Sequence, residues 1–281
     1  MAKLNSKNQI RFNSICELGE HVENLMETKN IRLFGNSSTD RYSDTGGLDL
    51  GEAVAMAKNG GHWQEGADLM PRVHVAHERL NGQPILAPSL VNNVQGFACN
   101  VPNYLNGLPD AMMDFQDDLQ GEKLIKVAVH VGRVWSADQS QIMNRGAAIM
   151  AVLDQLSREG YSIELTALWR NTGAGGKHTA SVETVIKHGC DHWAPESVAF
   201  ALCHAAFQRR LCWRVVESMH DSAAKITNQN YGNGRDAKYA EFDINFGYMS
   251  YPEDYNSIEK ATDNIKAQAI EQLANNERLA A

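Results

Sequence analysis

The absences in this chain narrow its possibilities first. No apolar run approaches the ~20 residues of a membrane-crossing helix, and the opening "MAKLNSKNQIRFNS" lacks the apolar core of a signal peptide. The expectation is a protein with no membrane partner. The five cysteines, Cys16, Cys99, Cys190, Cys203 and Cys212, form no CxxC and no paired framework. That excludes a disulfide-stapled scaffold and suits a reducing cytoplasm. No Ser-His-Asp order, nucleophile elbow or dinucleotide fingerprint occurs, so no enzyme is nominated and no cofactor is expected. Positive charge is in the minority, with 26 Lys and Arg against 34 Asp and Glu and a net charge of -8. A protein coated in cations to hold duplex DNA is excluded on that count.

What is present is ample for folding. The chain has 281 residues, 43% hydrophobic and 21% charged, the profile of a globular protein with a real core. Its charge is uneven. Residues 122 to 238 carry 14 basic and 11 acidic residues, a balance of +3, while the remainder carries 12 and 23, a balance of -11. A near-neutral to basic middle between acidic flanks is compatible with nucleic-acid contact on one face.

Local signals divide the chain. "SICE" opens a helix at Ser14 as a capping box, and "DLGEAVAMAKNGG" reads as a helix capped by Asp49 with Glu52 at its third position. Between them, residues 35 to 48 form a polar loop. Residues 81 to 121 hold Pro84, Pro88, Pro102 and Pro109 and read as irregular segments or short strands. From Lys123 the pattern sharpens: "KLIKVAVHV" is a strand, "SADQSQIMNRGAAIMAVLDQLSREG" a helix, and "YSIELTALWR" a second strand. Ile142, Ile149, Leu153 and Leu156 form one helical stripe, and Gly160 suits the cap. Strand, helix and strand predict a right-handed βαβ crossover with parallel strands. "SVETVIKHG" can add a strand, "APESVAFALCHAAFQRRLCWRVVESM" predicts one continuous helix, and residues 257–281 an amphipathic one. The fold expected is α/β: a single domain over residues 1–281, with a partly parallel mixed sheet built around a βαβ unit. Helices pack on it, and residues 123–219 are its central core.

Five segments can carry chemistry. "TGAGGKHT", residues 172 to 179, suggests a phosphate loop, but that motif needs glycine where Asn171 stands and Ser or Thr where His178 stands, and the residues that follow are strand-like. Two readings remain: a strand connection, or a glycine finger in which Trp169 stacks on a base while Arg170, Lys177 and His178 meet phosphates. Second, Arg209, Arg210 and Arg214 lie on an apolar helix, where they either grip phosphates or pair with Glu217 and other carboxylates. Third, residues 230 to 255 hold seven of the 21 aromatics. Phe242, Ile244 and Phe246 alternate as core, leaving Tyr231 and Tyr239 for stacking beside the cations Arg235 and Lys238. Fourth, His188, Cys190 and His192 alternate in "HGCDHW" with His204 on the next helix, a zinc cluster or strand residues without metal. Fifth, "KVAVHVGRVWSADQS" has the order of a von Willebrand A-type domain without its metal-binding aspartate, which leaves a protein-interaction module as an alternative. His74 and His77 in "RVHVAHE" read as structural or solvent-facing, His74 in a strand-like alternation.

Taken in order, "FNSICEL", "DLGEAVAMAKNGGHWQEGAD", "VPNYLNGLPDAMM", "MNRGAAIMAVLDQLSREGYSIEL" and "CHAAFQRRLCWRVVES" cover most of residues 12 to 218. Together they resemble the Drc-like phage proteins, the single-stranded-DNA-binding RNA polymerase cofactors of schitoviruses. The resemblance implies a fold other than an oligonucleotide barrel (OB-fold), single-stranded DNA and a phage RNA polymerase as partners, and residence in the cytoplasm of an infected bacterium. It implies a binding protein without enzymatic activity and leaves a homo-oligomer open. A zinc-dependent enzyme is the alternative from another class.

Overall fold

The structure is a computed structural model that describes residues 3–6, 9–27, 47–82, 85, 90–95, 98–115, 123–134, 136–172, 179–189, 191–219 and 241–280. The βαβ unit is as expected. Strand β6 (Lys123–His130) leads through a helix, Gln139–Arg158, to β7 (Tyr161–Thr172), and the two strands pair in parallel from Lys123↔Tyr161 to His130↔Leu168. Strand β8 (Thr179–Lys187) returns antiparallel beside β7.

Both ends of the chain complete this sheet. Near the start, β1 (Lys3–Ser6) pairs antiparallel with β2 (Gln9–Phe12), and β2 runs parallel to β8. Near the end, β9 (Ile244–Phe246) runs parallel to β6. The order is β1-β2-β8-β7-β6-β9, a mixed, partly parallel sheet in one α/β domain.

Among the described residues the α-helices are α1 (Ile15–Glu27), α2 (Leu50–Lys58), α3 (Met70–Leu80), α4 (Val101–Leu105), α5 (Gln139–Arg158), α6 (Pro195–Cys203), α7 (Trp213–Ser218) and α8 (Ile258–Ala280). Their starts follow local chemistry. Asp49 and Glu52 form a complete capping box on α2, and Asp138 and Gln141 form another on α5. At α1, Ser14 caps the Glu17 amide at 3.1 Å, but the Glu17 carboxylate reaches back to the Asn13 amide, one residue earlier than the motif requires. On α8, Ala261, Ile265, Ala269 and Leu273 are buried at four-residue spacing, one stripe laid on the core.

Two expectations are corrected. "RVHVAHE" is part of α3, not a strand. Pro71 suits its first turn, Asn81 closes it in the left-handed region at φ 54°, and Ala76 and Leu80 are buried one turn apart. Its His77 reaches Asp154 of α5 at 3.1 Å, and His74 reaches Glu78 at 3.3 Å. The long helix over residues 195–219 is also broken. His204 leaves α6 in an extended conformation, and Phe207–Cys212 then wind as a π-helix before α7. A segment apolar over most of its surface has little preferred face to hold it in one register.

Alternation divides the sheet into two unlike faces. On one, Phe12, Val127, Val129, Leu165, Ala167, Trp169, Val182, Ile244 and Phe246 join a single apolar cluster with buried residues of α1, α2, α3, α5, α6, α7 and α8. The helices therefore cover this face. Ile244 and Phe246 are buried here, and Phe242 is buried outside that cluster, so all three are buried as the alternation predicts. Gly146 lets α5 approach α6 closely, because a methyl there would overlap the Cys203 sulfur. Residues on the other face, such as Ala128, Leu168 and Val185, are also buried yet lie outside that cluster.

Candidate functional site

The carboxyl ends of parallel strands are where open α/β sheets usually take ligands. Here Arg145 of α5 fills that position at β6 and β9. Its guanidinium donates to the carbonyls of His130 at 3.0 Å, Phe246 at 3.3 Å and Gly247 at 2.7 Å, and it lies 5.9 Å from the Tyr255 ring centre. A buried cation spending its donors on strand-end carbonyls locks this edge.

The polar groups gather instead on the second face. Strand registers set them in rows. One row runs Arg170, Ser181 and Gln9 across β7, β8 and β2. The next runs His130, Leu168, Glu183 and Arg11 across β6, β7, β8 and β2. A third runs Asn245, Ala128, Thr166 and Val185. The Gln9 side chain donates to the Glu183 carboxylate at 2.6 Å, and Arg11 lies 3.7 Å from Glu164. The face is closed at its middle, where Glu183 is 1% exposed, and opens toward β2 and the β7–β8 end, where Gln9, Arg11 and Arg170 are half-buried.

Burial sets the charge states. Desolvation raises the Glu183 carboxyl above its usual range; Glu241 adds to the rise, while Gln9, Arg11 and Arg170 oppose it. His130 is pushed down to about 4, first by burial and then by the Arg145 and Arg170 charges, so it is neutral at pH 7. Its Nδ1 accepts from the Gly132 amide at 2.9 Å, which leaves the proton on Nε2, 3.1 Å from the Arg170 carbonyl. The Tyr248 ring stands edge-on to it at 5.5 Å. His130 and Glu183 stand two strands apart, roughly 10 Å at normal strand spacing, too far to pass a proton directly. Guanidinium, amide and hydroxyl groups in register are suited to holding a polar ligand.

The expected contact residues divide sharply. Trp169 belongs to the helix side: it is 2% exposed and packs at 4.9 Å on Trp213. Its expected stacking on a base is corrected, since both ring faces are taken up by the core. Its neighbour Arg170 points the other way and belongs to the polar face. Lys177 and His178 lie outside the described residues, as do Tyr231, Arg235, Lys238 and Tyr239.

Arg209, Arg210 and Arg214 fall on the π-helix and α7. Arg210 donates to the Leu48 carbonyl at 3.1 Å, and Arg214 donates to the Leu25 carbonyl at 3.4 Å while lying 3.8 Å from Glu217. These bonds give Arg210 and Arg214 a structural role: they tie the irregular helix to α1 and to the residue before Asp49. The Glu217 partner is the one the sequence suggests.

Of the candidate zinc ligands, His188 and His204 have other partners. His188 Nε2 donates to the Asn13 carbonyl at 3.0 Å, and His204 is buried against Trp63 and Phe200 with its Nδ1 accepting from the Ala206 amide. His192 is exposed, and Cys190 lies outside the described residues. Among the described residues, no three His, Cys, Asp or Glu side chains come together to hold a metal.

Sequence reading missed Gln9, Arg11, His130, Thr166 and Glu183. The signal for Glu183 and Thr166 was a polar side chain inside a β-rich run. For Trp169 it was phase: Ile163, Leu165, Ala167 and Trp169 alternate, so the tryptophan shares the apolar side.

The site thus belongs to a single-domain α/β protein whose sheet is helix-covered on one face and polar on the other. The chain belongs to the family described as Domain of unknown function (DUF7192), which it matches over residues 3–272. Neither a curated protein nor a solved structure matches it.

Proposed function

We propose that this protein binds single-stranded DNA at the β7–β8 end of its polar sheet face and serves in a phage-infected cell as a cofactor that brings a phage RNA polymerase to that DNA. The observation that carries this reading is the Arg170–Ser181–Gln9 row with Arg11 beside it. It sets two half-buried guanidiniums and hydrogen-bonding side chains near the end of β7, and the next residues in the sequence are "GAGGKH", with Lys177 and His178. Cations next to glycine-rich backbone suit a phosphate chain. The resemblance to the Drc-like proteins supports the same substrate and the polymerase. The net charge of -8 supports selectivity, because it weakens indiscriminate attraction to duplex while local cations hold a flexible strand.

An anisotropy titration with a labelled single strand and its duplex, at two salt concentrations, tests this. Single-strand binding is expected to weaken with salt, with about 0.7 units of log-log slope per phosphate contacted. Equal affinity for the duplex, or no binding at low salt, contradicts the proposal. Co-purification of a phage polymerase with the DNA-bound protein, and not with the DNA alone, tests the second half.

A further inference from the structure

The two sheets differ in what they offer a phosphate. The smaller one, β3 (Leu90–Asn93), β5 (Met112–Phe115) and β4 (Ala98–Cys99), lies in a stretch with no Lys or Arg between Arg79 and Lys123. The polar face of the main sheet has cations, and acids stand among them. Arg11 on β2 is in register with Glu183 on β8, while Arg170 on β7 is in register with Ser181, two residues from Glu183 on the same face. The Glu183 carboxylate accepts from Gln9 at 2.6 Å and is 1% exposed. A buried acid therefore sits on the strand between the two guanidiniums.

The charges around Glu183 balance closely. Ionised Glu183 and Glu164, which lies 3.7 Å from Arg11, offset Arg11 and Arg170 one for one, and Glu241 adds a further negative charge. His130 on β6 is neutral and adds none. Lys187, farther along β8, donates to the carbonyls of Ile163, His188 and Gly189, and Lys126 on β6 is in register with Glu164, two rows away. A polyanion laid across Arg11 and Arg170 meets the Glu183 carboxylate beneath it, and like charges repel strongly away from bulk water. One proton on Glu183 removes that repulsion. Burial already favours the proton, a bound phosphate adds to the preference, and the coupling is reciprocal.

We infer that the site proposed above for single-stranded DNA, on which this coupling rests, takes up a proton on Glu183 as it binds, so that falling pH tightens its hold on phosphate. The bound strand makes Glu183 keep its proton to a higher pH than it does in the free protein. Where the acid is protonated in both states, binding is tightest. Affinity then falls as pH climbs between the two values, and is weakest above both.

Anisotropy titrations of the full chain with a labelled thymine-only strand, at one low salt concentration and from about pH 5 to 8, test the coupling. Thymine is chosen because its ring neither gains nor loses a proton in that range. Wild-type affinity is expected to fall about tenfold from the acid to the alkaline end. Glu183→Gln, which keeps an acceptor for Gln9, should match wild type at the acid end and bind more tightly at the alkaline end. Any slope from His178 is common to both proteins. Calorimetry in two buffers of different ionisation enthalpy reads the proton on the wild type without any variant, and uptake of up to about one proton per site is expected. Identical pH profiles for the two proteins, or binding without proton uptake, overturn the inference and leave the DNA site standing. No binding by either protein anywhere in the range overturns the DNA site and the inference with it.

Discussion

The two faces of the main sheet are built from the same strands and obey different rules. On the helix side, Phe12, Trp169, Val182 and Phe246 are held by burial and close packing, and a buried cation such as Arg145 survives there by donating to backbone carbonyls. On the polar side, Thr166, Glu183 and His130 are buried as well, but each keeps a group that solvent would otherwise satisfy. The helices seal the first face, whereas the second lies outside their apolar cluster. Each face keeps a buried hydroxyl with no hydrogen-bond partner among the described residues, Thr184 on the first and Thr166 on the second.

That contrast can be broken by substitution. Truncating the helix side should cost most: Phe246→Ala removes a wholly buried ring and is expected to destabilise by about 3–5 kcal/mol in urea unfolding. A loss below about 1 kcal/mol would show that this face is not the main core.

The polar side shows itself next, through pH. His130 holds its proton less tightly folded, near 4, than unfolded, near 6.5. Stability from this group is therefore full above the unfolded value and is lost as pH falls from 6.5 toward 4, by an amount on the order of 3 kcal/mol. His130→Asn should flatten that part of the profile. Glu183 acts in the opposite sense. Its raised folded value makes the protonated form stabilising, fully below 4.5 and lost as pH climbs through the folded value. Glu183→Gln keeps an acceptor for Gln9 and removes the charge, so it should stabilise the protein at neutral pH and leave a flatter profile there.

The smallest effect has the most telling sign. The Thr166 hydroxyl is buried with no hydrogen-bond partner among the described residues. Thr166→Val, nearly the same shape, should stabilise by about 1 kcal/mol, where a comparable change of polarity on a satisfied core group costs stability. A loss of similar size would mean that the hydroxyl is satisfied in solution.

The sequence made some of this legible and hid the rest for physical reasons. Strands β6 and β7 and helix α5 were readable because their signals are local: alternation, a 3.6-residue stripe and a cap at Asp138. Strand β9 showed in the alternation of Phe242, Ile244 and Phe246, but β2 did not: it is only four residues long and pairs with β8, more than 160 residues away. The break at His204 was hidden because a helix apolar over most of its surface carries little phase. Among the candidate contacts, residue type was a weaker guide than direction. Trp169 and Arg170 are adjacent in sequence and face opposite sides of the sheet, and Arg210 and Arg214 look like a phosphate clamp until their carbonyl partners at Leu48 and Leu25 are seen. The polar face itself is a set of rows across four strands, which no single segment displays.

The comparison of the two faces is tested most directly by pairing one arginine from each. Arg170→Ala and Arg214→Ala should be titrated with the same labelled single strand and melted under the same conditions. Arg170→Ala is predicted to weaken binding about tenfold and lower the salt slope by about 0.7, with little change in melting temperature. Arg214→Ala is predicted to lower the melting temperature by a few degrees and leave binding at its wild-type value. If Arg214→Ala abolishes binding in a folded protein while Arg170→Ala leaves it intact, the DNA lies on the helix side and the account is wrong.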